Sequence, residues 1–175
     1  MIGTKGRRRP RALSEYGKQL QEKQKLKSLY NLREAQLRKN VKEVFNSRGK
    51  GEKDLSEMLI NVLEERLDNV VFRLGLAISR QQARQLVSHG HFLVNGKSTN
   101  IPSLRVKKGD VIKLKPKSAG KKIFQNIAAI LKKHNVPSWL SLDVENLEAK
   151  VAGSPTLEEA APPVEIPVIF EYYSR

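Results

Sequence analysis

The sequence contains no cysteine and few aromatic residues, and these absences exclude several classes of protein. Without cysteine, the chain cannot form a disulfide framework, a zinc ribbon, an iron–sulfur cluster or a thiol nucleophile. Only ten of 175 residues are aromatic, so the core has to be mainly aliphatic. The uncharged segments are shorter than the ~18 residues of a membrane span, and we expect no secretory leader. One or two compact modules in the cytoplasm are therefore predicted.

Negative charge is scarce over most of the chain. Residues 1–50 carry fifteen basic and four acidic groups, residues 51–135 carry sixteen and seven, and residues 136–175 carry two and seven. The chain has a net charge of +15, so its basic side chains repel one another in a compact state unless a polyanion neutralises them. Nucleic acid is therefore the expected partner of residues 1–135, whereas the acidic end is expected to be structural or to face other protein.

Residues 1–12 have no hydrophobic periodicity, and they are predicted to form a basic arm without a core of its own. Such an arm gains affinity for RNA by releasing counterions from each phosphate that it neutralises. Two alternatives are a solubilising tail and an organelle transit peptide, although the glycines and proline of the arm disfavour the amphipathic helix of a transit peptide. The cations of the arm are Lys5, Arg7, Arg8, Arg9 and Arg11.

The fold class expected from the remaining patterns is α+β. Apolar residues between 13 and 45 recur at helical spacing, which predicts one or two helices, and residues 47–53 break this pattern. Asp54 and Glu57 have the spacing of a capping box at the start of another helix. Residues 13–64 are therefore predicted to form an N-terminal helical part.

Residues 65–130 are predicted to form a helix pair followed by a small antiparallel sheet. A helical stripe over 67–74 ends at a glycine, and a second helix is predicted within 79–90, with a capping box at its start and a glycine at its end. Residues 91–94 have strand character, Asn95-Gly96 is a strong hairpin signal, and 111–114 form a further strand.

The remaining residues give weaker patterns. A helix is predicted over 123–133, and short strands are predicted over 143–151 and 166–173, with a proline-rich loop between them. Residues 131–175 are expected to return to the helical part.

The helix within 79–90 has two different faces. Its apolar face consists of Ala83, Leu86 and Val87, while Arg80 and Arg84 lie on another face four residues apart. Guanidinium groups bind phosphate oxygens bidentately and stack on unpaired bases, so this second face is predicted to contact RNA. An ordinary solvated face is the alternative. Reversing both arginines to glutamate is expected to weaken RNA binding and to leave the fold intact.

No catalytic apparatus, metal site or cofactor is predicted. The segment GHFLVNGKS has five residues between its glycines, whereas a phosphate-binding loop needs four, and it falls on a hairpin. The three histidines lack partners at metal-ligand spacing, and no activated nucleophile or carboxylate pair stands out. Tyr16 fits either a core contact or a platform for base stacking.

Three segments give the chain a recognisable resemblance. LSEYGKQLQEKQKLKSLY (13–30), ERLDNVVFRLGLAISRQQARQLVSHGHFLVNGKSTNIPS (65–103) and the terminal FEYYSR closely resemble the bacterial-type small-subunit ribosomal protein four family. The resemblance covers nearly the whole chain, and the central unit is similar to the RNA-binding module named after that family. It implies a structural, non-catalytic protein that is a primary binder of small-subunit ribosomal RNA and nucleates assembly of the subunit.

The resemblance also implies more specific roles. Basic residues just before the LSEYG segment lie, in the family, where messenger RNA enters the subunit, and they have been linked to helicase behaviour. Arg7, Arg8, Arg9 and Arg11 inherit this suggestion, with Ala12 shifting the local alignment by one residue. Ribosomal protein five is the implied protein neighbour, and a ribosome of the cytoplasm or of an organelle is the implied location.

The chain departs from the family pattern at its start. Family members usually carry an N-terminal extension, often with a zinc-binding cysteine knuckle, and this sequence begins close to the basic arm. We therefore expect a short form without that zinc site, in which repression of its own operon, known for some members, is in doubt.

The residues predicted to contact RNA combine the arm, the first helix and the helix-pair module. Two rival functions use the same module: an RNA-modifying or aminoacylating enzyme, for which residues after the module leave little room, and a stress-type RNA chaperone. The predicted contacts are Lys5, Arg7, Arg8, Arg9, Arg11, Ser14, Tyr16, Lys18, Lys23, Lys25, Arg66, Asn69, Arg73, Ser79, Arg80, Arg84, Gln85, Ser88, His89, Asn95 and Lys97.

Overall fold

The computed structural model describes residues 11–49 and 54–175, and within them it is an α+β protein, as expected. The helices are α1 (Glu15–Leu29), α2 (Glu34–Asn46), α3 (Leu55–Glu64), α4 (Leu67–Arg73), α5 (Arg80–Ser88), α6 (Pro116–Ala119), α7 (Ile127–Lys133), α8 (Leu157–Ala160) and α9 (Ile166–Tyr173), with a 3₁₀ turn at Lys122–Phe124. The strands are β1 (Phe92–Val94), β2 (Lys97–Thr99), β3 (Val111–Leu114), β4 (Leu140–Asp143) and β5 (Glu148–Val151).

Helices α1, α2, α3 and α9 surround the first of two hydrophobic cores. We call these helices and their core the helical domain. Leu26, Leu37, Leu59 and Ile169 are fully buried at its centre. The prediction of one or two helices within 13–45 is confirmed, and the structure has two, α1 and α2. Helix α1 begins where the Ser14 hydroxyl accepts a hydrogen bond from the Gly17 amide at 3.1 Å, so Ser14 is a helix cap.

The prediction of a strand over 166–173 is wrong, because these residues form α9, which packs along α1. Ile166, Ile169 and Phe170 are its buried residues, at the spacing of one helical face. A short apolar run fits a buried helix as well as a strand, and here the α1 surface selects the helix.

The second core belongs to the helix-pair module. Its antiparallel sheet has the order β2-β1-β3-β5-β4, and helices α4 and α5 pack with it around Phe92, Ile112 and Leu86. The Asn95-Gly96 hairpin is confirmed, with φ values of +51° and +78° at its two turn residues. Positive φ at both positions matches the right-handed twist of the flanking strands.

The C-terminal third differs from the prediction in three further places. The strand predicted over 143–151 is part of a hairpin, because β4 already begins at Leu140 and β5 covers only the end of the predicted range. Both strands join the sheet of the module, and only α8 and α9 return to the helical domain. The helix predicted over 123–133 is interrupted by Asn126, whose φ is +64°, and continues as α7. The proline-rich loop contains the short helix α8.

The two cores meet without a flexible linker. Helix α3 ends at Glu64 and α4 begins at Leu67, and the loop before β3 lies against this connection. The Leu67 amide donates to the Leu104 carbonyl at 2.8 Å, and the Val106 amide donates to the Glu65 carbonyl at 2.9 Å. These backbone bonds tie the start of the module to the loop before β3 at the boundary with the helical domain.

Gly75 ends α4 at a position that only glycine fits. Its φ is +83°, and a Cβ at this position would lie 2.7 Å from the Cγ atom of His134. The imidazole Nε2 of His134 donates to the Arg73 carbonyl at 2.8 Å and thereby satisfies the helix end. None of the helices in the described ranges is long and apolar enough to cross a membrane.

Candidate nucleic-acid interface

Glu64 is a buried carboxylate at the boundary between the helical domain and the module. It is 1% exposed and accepts hydrogen bonds from the Tyr30 hydroxyl at 2.6 Å and the Asn69 amide at 2.8 Å. Arg73 donates to both carboxylate oxygens, at 2.9 and 2.7 Å. Burial alone would raise the pKa of Glu64, but the hydrogen bonds from Arg73, Tyr30 and Asn69 outweigh burial and lower that pKa. A charged Glu64 therefore links α1, α3 and α4.

Arg80 points into the same boundary. Its Nε donates to Asn69 Oδ1 at 2.9 Å, and its guanidinium carbon lies 4.6 Å from the ring centroid of Tyr30 and 4.5 Å from that of Phe72. Burial lowers the pKa of this guanidinium, and the neighbouring charge of Arg73 adds to the effect. The arginine is thus sandwiched between two aromatic rings, one from each part of the chain.

Two further arginines are paired at this boundary. Arg66 donates twice to Asp68, at 3.1 and 2.9 Å, and both residues are buried. Arg105 donates to both carboxylate oxygens of Glu43 on α2. Such bidentate pairs have the planar geometry that guanidinium and carboxylate groups share. We call Tyr30, Glu64, Arg66, Asp68, Asn69, Arg73 and Arg80 the junction network.

The structure thus gives several predicted RNA contacts another role. Asn69 and Arg73 bind Glu64 at the end of α3, and Arg80 lies against Tyr30, so these residues connect the two parts of the protein. Arg66 is instead paired with Asp68 within the module. Lys23 is 4% exposed and donates to Glu34 at 2.9 Å, so it too faces inward. The expectation that Arg80 could be reversed without harm to the fold does not agree with its position.

A second group of predicted residues stays at the surface. Gln85, Ser88 and His89 are exposed at the end of α5, and Lys97 is exposed on β2. Arg84 lies between these groups, half-buried, with one donor to the Asn31 carbonyl at 3.2 Å.

Two predicted residues near this surface have local structural roles. The Ser79 hydroxyl caps α5 by accepting from the Gln82 amide at 3.1 Å. The Asn95 side chain closes the hairpin by donating to Asp110 and accepting from the Val111 amide, both at 2.9 Å.

Two lysines that the sequence interpretation missed complete this surface. Lys115 follows β3 and reaches across β1, so that its Nζ lies 2.5 Å from Ser98 Oγ. Lys121 is exposed, and its charge acts on His91, as do those of His89 and Lys115. Alternation along β3 places Lys115 on the same side of the sheet as Lys113, a pattern that was available in the sequence. We call Ser88, His89, Ser98, Lys115 and Lys121 the α5–hairpin surface.

His91 lies beneath the α5–hairpin surface. Its Nδ1 is 2.9 Å from Ser118 Oγ, and its ring meets Phe124 edge-on at 5.4 Å between centroids. Burial lowers the pKa of His91, and the positive charges of Lys121 and Lys115 lower it further.

The first helix contributes exposed groups near the arm. Arg11 and Tyr16 are exposed, whereas Lys18 and Lys25 form surface ion pairs with Glu15 and Glu22 at 3.3 and 2.7 Å. Surface pairs of this kind cost little to break, so both lysines remain available to a phosphate. Lys5, Arg7, Arg8 and Arg9 lie outside the described residues.

The described residues contain no cluster of three or more histidine, aspartate and glutamate side chains that could hold a metal ion. His89 and His91 stand 6.2 Å apart between ring centroids, and His134 is bound to a backbone carbonyl.

Comparison with known proteins agrees with this architecture. A family model described as the S4 domain matches residues 65–112, and one described as the ribosomal protein S4/S9 N-terminal domain matches residues 2–64. The chain is 45% identical over 169 residues to small ribosomal subunit protein uS4 of Chloroflexus aurantiacus, covering 95% of this chain and 80% of that protein. It is 46% identical over 173 residues to uS4 of Halothermothrix orenii, covering 99% and 81%. The chain belongs to the uS4 family of small-ribosomal-subunit proteins, whose members are structural and not enzymatic.

Proposed function

We propose that the chain binds small-subunit ribosomal RNA through the α5–hairpin surface and the basic arm, and that this binding nucleates assembly of the subunit. The observation that carries the proposal is that Lys115 and Lys121 have no carboxylate partner that would compete with a phosphate, within the described residues. Within the described residues, neither lysine has an ion pair, although three arginines of the same module do. A lysine without a carboxylate partner offers its full charge to a phosphate.

The chemistry of this surface favours recognition of RNA shape. Exposed lysine, histidine and serine groups bind phosphates and 2′-hydroxyls, whereas the base edges in the deep major groove of an A-form helix are out of reach. We therefore expect the protein to recognise the arrangement of several RNA helices, with little direct base readout.

The arm is proposed to contact RNA where messenger RNA enters the subunit, beside ribosomal protein five. Arg11 is exposed at the start of the described chain, and Lys5, Arg7, Arg8 and Arg9 precede it in sequence. An arm of this composition gains affinity by counterion release, so its deletion should reduce the salt dependence of binding. If the variant without residues 1–11 shows the same slope of log affinity against log salt concentration as the full chain, this part of the proposal is contradicted.

The main test is a competition titration across a salt series. The protein binds a labelled transcript of the five-prime domain of small-subunit ribosomal RNA, and an unrelated structured RNA of equal length competes. Specific recognition predicts a preference of about a thousandfold or more for the ribosomal transcript. Equal competition at every salt concentration would indicate a general basic RNA binder and would overturn the assembly role.

A further inference from the structure

A pocket lined by three tyrosines lies where the start of α1 meets the end of α9. It is open to solvent and has a volume of about 340 Å³, which falls in the usual range of small-ligand sites. We call it the tyrosine pocket. Its lining residues are Tyr16, Glu34, Arg38, Tyr172, Tyr173 and Arg175.

The aromatic rings of the pocket provide a stacking surface. Tyr16 is 48% exposed, and its ring centroid lies 5.7 Å from that of Tyr172 at an interplanar angle of 35°. The guanidinium carbon of Arg175 stands 5.7 Å from the centroid of Tyr16. A flat cationic group already lies over this ring face, which shows that a planar group fits there.

The floor of the pocket carries a hydrogen-bond acceptor. Glu34 accepts from the Tyr173 hydroxyl at 2.7 Å through Oε1 and from Lys23 at 2.9 Å through Oε2, and its side chain is 45% exposed. An ionised carboxylate has about four acceptor positions, so the two hydrogen bonds leave room for a ligand N–H. Although burial opposes ionisation, the hydrogen bonds from Lys23 and Tyr173 lower the pKa of Glu34 and keep it charged.

The pocket is held in place from below. Lys23 is buried, and its Nζ lies 4.6 Å from the ring centroid of Tyr172 while it also binds Glu34. Tyr172 and Tyr173 meet at 5.2 Å with an interplanar angle of 87°. These contacts fix the carboxylate and two of the rings before any ligand arrives, which reduces the entropy lost on binding.

We propose that the tyrosine pocket binds one unpaired RNA nucleotide. The base stacks on Tyr16 in place of the Arg175 guanidinium, and an amino group of the base donates to Glu34. The displaced Arg175 and Arg38 contact the adjacent phosphates. Aromatic stacking beside cationic groups is the common chemistry of single-strand binding. The location suits this ligand because Tyr16 lies five residues after Arg11, at the base of the arm. The inference rests on the proposed function only in taking RNA as the polyanion.

The test uses the full-length protein and a short unstructured RNA that carries 2-aminopurine at one position. Stacking on tyrosine should quench the fluorescence of this base analogue. We expect Tyr16→Leu to weaken binding about tenfold and to abolish the quenching, since the base loses the aromatic ring on which it stacks. Tyr16→Phe retains the ring and should behave like the wild type. Equal binding and equal quenching in all three proteins would overturn the proposal.

A second arm separates the source of the nucleotide and guards against a folding defect. Placing 2-aminopurine at unpaired positions of the five-prime-domain transcript shows whether ribosomal RNA, and not only a free strand, supplies the base. Photocrosslinking of wild-type protein to RNA containing 4-thiouridine should give adducts on Tyr16 or Tyr172. Crosslinks confined to other peptides would contradict the pocket.

The two proposals fail in different ways. If the wild type does not prefer the ribosomal transcript but quenches the free strand, the assembly role fails and the pocket stands. If Tyr16→Leu keeps the preference for the transcript and the wild type never quenches, the pocket fails and the assembly role stands.

Discussion

The junction network and the α5–hairpin surface are both rich in basic residues, yet one faces inward and the other outward. Arg66 and Arg73 are each paired with a carboxylate at hydrogen-bond distance, whereas Lys115 and Lys121 have no ion pair in the described part of the chain. The first group stabilises the protein, and the second leaves its charge unneutralised. Basic composition alone therefore does not identify an RNA contact, because a buried carboxylate partner gives Arg66 and Arg73 a structural role.

The chemistry of the two groups fits this division. The inward residues are arginines, whose planar groups bind carboxylates bidentately and stack on rings as Arg80 does between Tyr30 and Phe72. The outward residues are mainly lysine and histidine, which serve as compact charges at the surface. An arginine suits a fixed interior site, because its donors are arranged in advance.

The largest effect is expected from removing the charge at the centre of the junction network. Glu64→Gln should lower the free energy of unfolding by about 3 kcal/mol, because Arg73 and the buried donors around it lose a charged acceptor. Urea denaturation measures this change. Glu148→Gln is a matched control, since Glu148 forms only an exposed pair with Lys113 at 3.7 Å and should cost less than about 0.5 kcal/mol. Equal losses of unfolding free energy in the two variants would show that the buried network contributes no more to stability than an exposed ion pair.

The same residue predicts a pH dependence of stability. The folded protein lowers the pKa of Glu64 below the ordinary value of 4.5, so its stabilising contribution is complete above that pH and is lost as the pH falls through the folded-state pKa. Glu64→Gln should therefore lose less stability than the wild type on acidification. If the free energy of unfolding falls by the same amount in both proteins between neutral and acidic pH, Glu64 is not the source of the pH dependence.

A smaller loss of stability is expected at Arg80. Arg80→Ala should cost about 2 kcal/mol, because Asn69 loses a buried donor and two rings lose the group between them. Arg84→Ala should cost about 0.5 kcal/mol or less, since Arg84 makes one longer hydrogen bond to a backbone carbonyl. Thermal unfolding of the two variants tests whether residues one helical turn apart differ in this way. Similar melting temperatures would remove the distinction between inward and outward arginines on α5.

The outward surface should affect RNA affinity and not stability. The double variant Lys115→Gln and Lys121→Gln should weaken binding to the five-prime-domain transcript about tenfold and make binding less sensitive to salt. Lys107→Gln with Lys108→Gln removes the same charge from the exposed turn at the other end of β3. If both double variants lose the same affinity, overall charge and not the α5–hairpin surface governs binding.

The smallest expected effect is a pH dependence of RNA binding. His91 has a pKa lowered by burial and by the nearby lysines, and phosphates bound at the surface would offset that positive potential and raise the pKa. Binding then takes up protons, so affinity should rise as the pH falls toward 6. His91→Gln should show a flatter profile. A profile that is unchanged in the variant would exclude His91 as its source.

Local patterns predicted much of the fold. Ser79 as a helix cap, Gly75 as a helix end and Asn95-Gly96 as a hairpin are each determined by a few neighbouring residues. The strand predicted at 166–173 failed because its conformation depends on α1, which is distant in sequence.

The candidate site was less predictable for a similar reason. Tyr30 and Glu64 are 34 residues apart, and no sequence period shows that they meet. The alternating charges at Glu64, Arg66 and Asp68 were a local sign that Arg66 is paired with a carboxylate. Lys115 continues the alternating pattern of β3, whereas Lys121 lies beyond α6, and no sequence period shows that both approach His91.

The short connection between α3 and α4 has a consequence for avidity. Because the helical domain and the module are joined directly at residues 64–67 and locked by Glu64, RNA contacts on the two parts lie at a fixed separation. Once one part has bound, the other meets RNA segments at that separation with a high effective concentration. RNA segments at a different separation do not benefit from this effect. A folded RNA is thereby favoured over an equally charged but differently shaped one, even though neither part needs to recognise a base.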